Sequence, residues 1–331
     1  MNRTTDVLAM GNAIVDVLAP VDDAFLLSHK IAKGVMTLID EFRAKELYQA
    51  FPADHREMAG GSAGNTMAGI ASFGGAGQYI GKVQDDRLGA SFIAGLKELG
   101  VRFTTVPATE GPATACCLIA VAPDGQRSMS TYLGACRGLT PDDVEEADIA
   151  AAKAIYIEGY LWDMDAAKAA SRKALAAARK AGTKTAFTLS DPFCVGRFRD
   201  EFLDLIAKDI DILFANEEEA KALFGAADFD EALQQFAAWG GIAAITRGAE
   251  GCVVVGNGET HIIAAAPVQQ VVDTTGAGDQ FAAGFLYGLT HDKPLAVCGK
   301  LGALAASEII SHFGARPQVA LKDLAHNAGL I

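Results

Sequence analysis

Residues 273–279 read Asp-Thr-Thr-Gly-Ala-Gly-Asp, two carboxylates and two hydroxyls around a pair of glycines. Gly276 and Gly278 let the backbone approach a ligand and turn successive N–H groups into one concavity. A helix following such a turn adds its positive N-terminal end, and the combination stabilises charge that builds on a transferring phosphoryl group. Asp279, in the first turn of that helix, can accept the proton of a hydroxyl that approaches those amides. Asp273 and Thr275 add oxygens beside the turn. The same residues also read as a plain Gly-rich turn with Asp279 as the helix N-cap. No Lys-Ser/Thr follows the glycines, so this is not a Walker A loop. It also lies too far along the chain to be a dinucleotide fingerprint.

Three further constellations could serve a ligand. Gly60-Gly61-Ser62-Ala63-Gly64-Asn65 opens a helix through glycines, with Asn65 offering both a donor and an acceptor. Its plainer reading is a helix entry capped by Ser62. Asn12, Ile14 and Asp16 share one face of a strand, where an amide and a carboxylate two residues apart can chelate a vicinal diol. A solvated edge strand has the same spacing. Asn216-Glu217-Glu218-Glu219 is a capping box at a helix start, with oxygens that could also organise a metal.

Asp273–Asp279, continued by Gln280-Phe281-Ala282-Ala283-Gly284-Phe285, closely resembles the C-terminal signature of PfkB/ribokinase-type kinases. The resemblance implies ATP as phosphoryl donor, Asp279 as the catalytic base, and Gly276, Ala277 and Gly278 as an anion hole. Members of the family often bind a monovalent cation here, and Asp273 and Thr275 match the positions that would hold K⁺. Asn216 and Glu219 match the element that organises Mg²⁺ and the ATP phosphates, largely through water. Thr246 and Gly248, in Thr246-Arg247-Gly248-Ala249-Glu250-Gly251, match the nucleotide loop.

Gly11-Asn12…Asp16 and Gly60-Gly61-Ser62…Asn65 resemble the adenosine kinases of the family more than its ribokinases, which show Lys where Ser62 stands. On that resemblance Asn12, Asp16, Gly61, Ser62 and Asn65 hold ribose hydroxyls. Arg127, following the turn Pro123-Asp124-Gly125, is a candidate for neutralising the transferring phosphate or an exposed hairpin residue. Tyr160, Trp162 and Phe193 are candidates to stack on a base or to pack in the core. The implied reaction transfers the γ-phosphoryl group of ATP to the 5′-hydroxyl of a nucleoside, adenosine giving AMP. Ribose, fructose, inosine and guanosine are the rival acceptors, and a nucleoside-binding module without turnover is the rival class.

Apolar runs alternating with helical periodicity place these motifs. Val7–Met10, Ala154–Ile157, Thr185–Leu189, Ile210–Ala215 and Ala243–Thr246 read as strands. Gly64–Phe73, Ala90–Leu99, Asp165–Ala181 and Glu217–Phe224 read as helices between them. Cys252–Val255 leads to a hairpin turn at Asn257-Gly258. A strand at Val271–Val272 is expected to feed a helix over Gln280–Leu289, and Leu295–His312 reads as the last helix. The alternation predicts an α/β fold: a mainly parallel sheet with helices on both faces. Ala13–Ala19, Thr37–Ile39, Thr114–Val121 and Ser128–Leu133 break the rhythm and read as strands of a small β-lid, built from about 12–39 and 104–133. The expectation is one ribokinase-like domain over 1–331.

Composition narrows the partners. A formal charge of −13 and a pI near 4.9 disfavour nucleic acid and anionic membrane. Bound phosphate remains compatible, because backbone amides and one or two Arg suffice to hold it. The longest uncharged run, Met58–Gly81, is too rich in Gly and polar residues to span a bilayer. The six cysteines form no CxxC pair and read as small buried hydrophobes of a reducing cytoplasm. Adenosine kinases of this type are often monomers, so a monomer is expected over a homodimer.

Overall fold

In the computed structural model, which describes residues 3–331, TDVLAM and AKAIYIE lie side by side at the centre of a sheet. They form β1 (Thr5–Met10) and a later parallel partner, and alternate residues go to opposite faces. Val7 and Ala9 join one apolar core, Leu8 and Met10 the other. A strand buried on both faces needs apolar residues throughout, hence the unbroken run.

The strands that follow are β2 (Ile14–Pro20), β3 (Met36–Leu38), β4 (Arg56–Ala59), β5 (Gly77–Ile80), β6 (Arg102–Phe103), β7 (Ala115–Val121) and β8 (Arg127–Tyr132). Then come β9 (Ala152–Glu158), β10 (Lys184–Thr188), β11 (Ile212–Asn216), β12 (Ile242–Thr246), β13 (Cys252–Gly256) and β14 (Glu259–Ile263). The nine-stranded sheet runs β14-β13-β12-β11-β10-β9-β1-β5-β6. It is parallel except for β12-β13-β14, where the hairpin turns through Asn257 (φ 57°) and Gly258 (φ 77°). Two left-handed residues in succession match the twist of the paired strands.

Helices cover both faces. Ser62–Ser72, Ala277–Thr290 and Leu295–Ile309 pack with one core, and Asp165–Ala181, Pro192–Asp209 and Phe229–Trp239 with the other. The helices Ala277–Thr290 and Leu295–Ile309 approach closely because Gly284 carries no side chain. A Cβ there would lie 2.4 Å from the Leu301 carbonyl oxygen. Gly100 and Gly182, at φ 78° and 67°, end helices as expected.

A second sheet of five strands, β3-β8-β7-β2-β4, is tethered to the first by the short link Gly11–Ala13 between β1 and β2. Along β2 burial alternates: Val15, Val17 and Ala19 are buried, whereas Ile14, Asp16 and Leu18 are partly open. Four of its strands fall within the predicted ranges, and Arg56–Ala59 joins from outside them.

The structure corrects several local expectations. Val271–Val272 is not a strand; Val272 instead donates its N–H to the Ile310 carbonyl at 2.8 Å. The helix expected from Gln280 begins at Ala277, and the one expected to reach His312 stops at Ile309. Pro192–Asp209, Phe229–Trp239 and Leu321–Asn327 are helices that the periodicity did not single out.

Candidate active site

Gly276 has φ 79°, a left-handed conformation that glycine adopts without strain. It is the N-cap of the helix Ala277–Thr290 and offers no side chain to cap it. Asp279 therefore lies inside the first turn, and its carboxylate does not cap its own helix. Instead it reaches the start of another helix: Ser62 Oγ donates to Oδ1 at 2.6 Å and Asn65 Nδ2 to Oδ2 at 3.1 Å. That helix has its own capless start at Gly61 (φ 76°), so Ser62 is no cap either. Both plain helix-cap readings fail on this geometry. Gln280 locks the arrangement, its Nε2 donating to the carbonyls of Asn65 (2.8 Å) and Ala315 (3.1 Å). Burial raises the Asp279 pKa, while the two hydrogen bonds favour its anion.

The Gly-rich turn forms a wall between two cavities. Thr275 and Asp279 face a cavity of about 330 Å³ beneath the small sheet. Thr274, Ala277 and Gly278 face another of about 530 Å³. Most of the acting residues lie at the carboxyl ends of the parallel strands, the usual ligand edge of such a sheet.

Asn12, Asp16, Gly61, Ser62, Asn65 and Tyr160, all singled out in the sequence, line the first cavity. Gly60 leaves room for Asp16, since a Cβ there would overlap its carboxylate. Burial pushes Asp16 up to about 7, opposed by Arg316 and then Arg127 and reinforced by Asp279. Apolar side chains of the small sheet, among them Met36, Leu38, Ile119 and Met129, form the roof. Phe193 stands at this cavity, largely exposed, with the Arg197 guanidinium 4.6 Å from its ring centre. Trp162 is not available for stacking. It is buried in the core against Phe187 and Phe202.

One site residue is not legible from the motifs. Glu158 ends β9, lines the first cavity, and accepts the N–H groups of Asn12 (2.6 Å) and Ala63 (3.0 Å). Burial pushes it up to about 7. A carboxylate closing a central parallel strand was the available signal.

Arg127 is neither an exposed hairpin residue nor a lining residue of either cavity. It forms an ion pair with Asp273 at 2.5 Å, both side chains 7% exposed. Asp273 also accepts N–H bonds from Thr275 and Gly314, each at 3.1 Å. Both oxygens of Asp273 are thus engaged, Oδ1 with Thr275 and Oδ2 with Gly314 and Arg127.

Thr246 and Gly248 line the larger cavity, whose walls are mainly apolar, with Val268, Val271, Phe281 and Ile310 among them. Asn216 and Glu219 line neither cavity. Their capping box is complete, with Glu219 accepting from Asn216 N (2.9 Å) and Nδ2 (2.7 Å). Burial pushes Glu219 up to about 7. Among the described residues no three His, Cys, Asp or Glu gather to hold a metal ion. Among the described residues no helix is long and apolar enough to cross a membrane.

Comparison with known proteins agrees with this geometry. Residues 47–321 match the model of the pfkB family carbohydrate kinases. The adenosine kinase structure from Sinorhizobium meliloti is 50% identical, with a TM-score of 0.90 over 98% of this chain and 99% of that one. A probable sugar kinase from Rhizobium etli CFN 42 is 47% identical, with a TM-score of 0.92 over the whole of both chains. Among curated proteins, a 5-dehydro-2-deoxygluconokinase from Geobacillus kaustophilus is 31% identical over 76% of this chain and 78% of its own. The matched span carries the Gly-rich turn, Asp279 and the helix start at Ser62, and the chain belongs to the pfkB family of carbohydrate kinases.

Proposed function

We propose that this kinase transfers the γ-phosphoryl group of Mg-ATP to the 5′-hydroxyl of a nucleoside, adenosine giving AMP. The observation that carries the reading is the wall between the cavities. Its acceptor side presents Asp279, and its other side presents the amides of the helix start. ATP occupies the larger cavity, its base among the apolar walls near Thr246 and Gly248. The nucleoside occupies the smaller one, with Asn12, Asp16 and Asn65 on its ribose. Asp279 takes the proton of the attacking hydroxyl, and burial raises its pKa toward the operating pH, where a general base works best. The N–H groups of Gly276, Ala277 and Gly278 receive the charge that spreads over the transferring group. Mg²⁺ carried in with ATP would supply positive charge against that build-up.

Within this reading the small sheet is a lid that excludes water competing for the phosphoryl group. Arg127, paired with Asp273, ties the lid to the Gly-rich turn. Asn216 and Glu219 shape the strand end beside the phosphates. We further take the chain to act as a single cytoplasmic domain and a monomer.

The apolar roof favours a purine base over a bare sugar, because a free pentose would leave Ile119 and Met129 uncovered. A sugar acceptor is the second reading, favoured by the sugar kinases among the similar proteins. The test is ADP release from Mg-ATP with adenosine, inosine, guanosine, ribose and fructose. Release with adenosine and little with the sugars is expected. Release with a sugar alone would overturn the acceptor, and tight acceptor binding without ADP release would leave a binding module.

A further inference from the structure

Phe193 is an exposed ring that is nonetheless held. It is 73% exposed, belongs to the first turn of the helix Pro192–Asp209, and lines the smaller cavity. One helical turn on, Arg197 sets its guanidinium 4.6 Å from the ring centre, close enough for a cation to bind the ring. Arg197 is fixed in turn. Its Nη1 and Nη2 both donate to the Asp163 carboxylate, the second at 3.2 Å, and a two-point contact sets the plane of the guanidinium. Asp163 and Arg197 line the same cavity.

The helix alone does not dictate where Phe193 stands. At Phe198 the backbone leaves helical geometry (φ −123°, ψ 20°), so the turn Pro192–Arg197 takes a direction of its own. Arg197 ties that turn back at two places. It reaches Asp163, at the end of the turn after β9, and lies 5.0 Å from the ring centre of Phe198, which packs against the core beside Phe202. A partly exposed ion pair contributes little to stability, so its loss should show in the site rather than in the fold. The other apolar surface of the cavity comes from the small sheet, through Met36, Leu38, Ile119 and Met129. An open aromatic face beside such a roof suits a flat ring and offers nothing to hydroxyl groups.

We propose that Arg197 is a positioning residue for the acceptor: paired with Asp163, it holds Phe193 as a platform for a flat base, and so favours an acceptor that carries one over a bare sugar. The inference rests on reading the smaller cavity as the nucleoside site. It adds the residue that orders the platform before the ligand arrives, which lowers the entropy cost of binding.

The test is Arg197→Met in the full-length protein, with adenosine and ATP Kd from calorimetry and KM and kcat from turnover. Adenosine Kd and KM are expected to rise roughly tenfold, the scale of a weakened base–aromatic stack. ATP Kd should stay unchanged, and kcat at saturation should change less than about threefold. The probe 2-aminopurine riboside, whose fluorescence falls when its ring stacks, should be quenched less by the variant than by the wild type. Arg197→Lys keeps a cation beside the ring and should recover part of the affinity. Phe193→Leu should weaken adenosine at least as much. Adding Arg197→Met to it should cost less than about a further twofold, because the arginine then has no ring to hold. Asp163→Asn loosens the platform from its other end and serves if Arg197→Met does not fold. Unchanged adenosine affinity, undiminished quenching, or additive losses in the double variant would overturn the proposal and leave the nucleoside reading intact. A wild type that binds a sugar and no nucleoside would overturn the nucleoside reading itself, and the platform with it.

Discussion

Asp279 is held by two donors from another helix, Ser62 Oγ and Asn65 Nδ2, while burial works to raise its pKa. The opposing effects leave a carboxylate that is oriented and ionisable, which is what a general base requires. Asp279→Asn keeps the shape and the hydrogen-bonding reach of the side chain but cannot take a proton. Turnover should fall by roughly 10² or more, with nucleoside Kd changed by only a few-fold. Steady-state kinetics beside calorimetry separates the two, and undiminished turnover would remove Asp279 from the chemistry.

The helix Ala277–Thr290 delivers its N-terminus to the wall between the cavities because Gly276 adopts φ 79° and Ala315 occupies the space beside it. Gly276→Ala is penalised twice, by the left-handed conformation and by a Cβ 3.0 Å from the Ala315 Cα. The turn should relax away from that position and take the anion-hole amides with it. We expect kcat to fall about a hundredfold to a thousandfold, the range for losing one such donor, with a smaller change in acceptor Kd. A fully active variant of unchanged melting temperature would show that this backbone geometry is dispensable.

Across the whole molecule, several buried carboxylates leave a signature in stability. Asp16, Glu158 and Glu219 are each pushed up to about 7, mainly by burial. In the unfolded chain such groups titrate near 4. Between those values the folded protein holds protons that the unfolded chain has released. The stability they contribute is therefore full below the unfolded values and is lost as pH rises through about 7. The ligand-free Tm should be higher near pH 6 than near pH 8, by on the order of a few degrees. Glu219→Gln, which preserves a capping-box side chain, should reduce that difference. Differential scanning fluorimetry checks it, and a Tm that rises over this interval would contradict the burial account.

Parts whose physics is local were legible in the order of residues alone. Strand β1 could be read because a strand covered on both faces must be apolar along its length, and Asp165–Ala181 because its period and terminal Gly182 are helical signals. The Gly-rich turn was readable as a turn into a helix for a similar reason, while its role in phosphoryl transfer came from the resemblance of Asp273–Asp279 to a family signature. The residues singled out in the motifs line two separate cavities, Thr246 and Gly248 one and Asn12, Asp16 and Asn65 the other. How those parts meet was settled by the packing of distant segments. That Asp279 bonds to Ser62 and Asn65 rather than capping its own helix depends on contacts across more than 200 residues of chain. Arg127 pairing with Asp273 and Trp162 lying in the core are likewise long-range outcomes. Spacing within a motif reports the backbone's local period, whereas the partner of a buried charge is set by which segments the fold brings together.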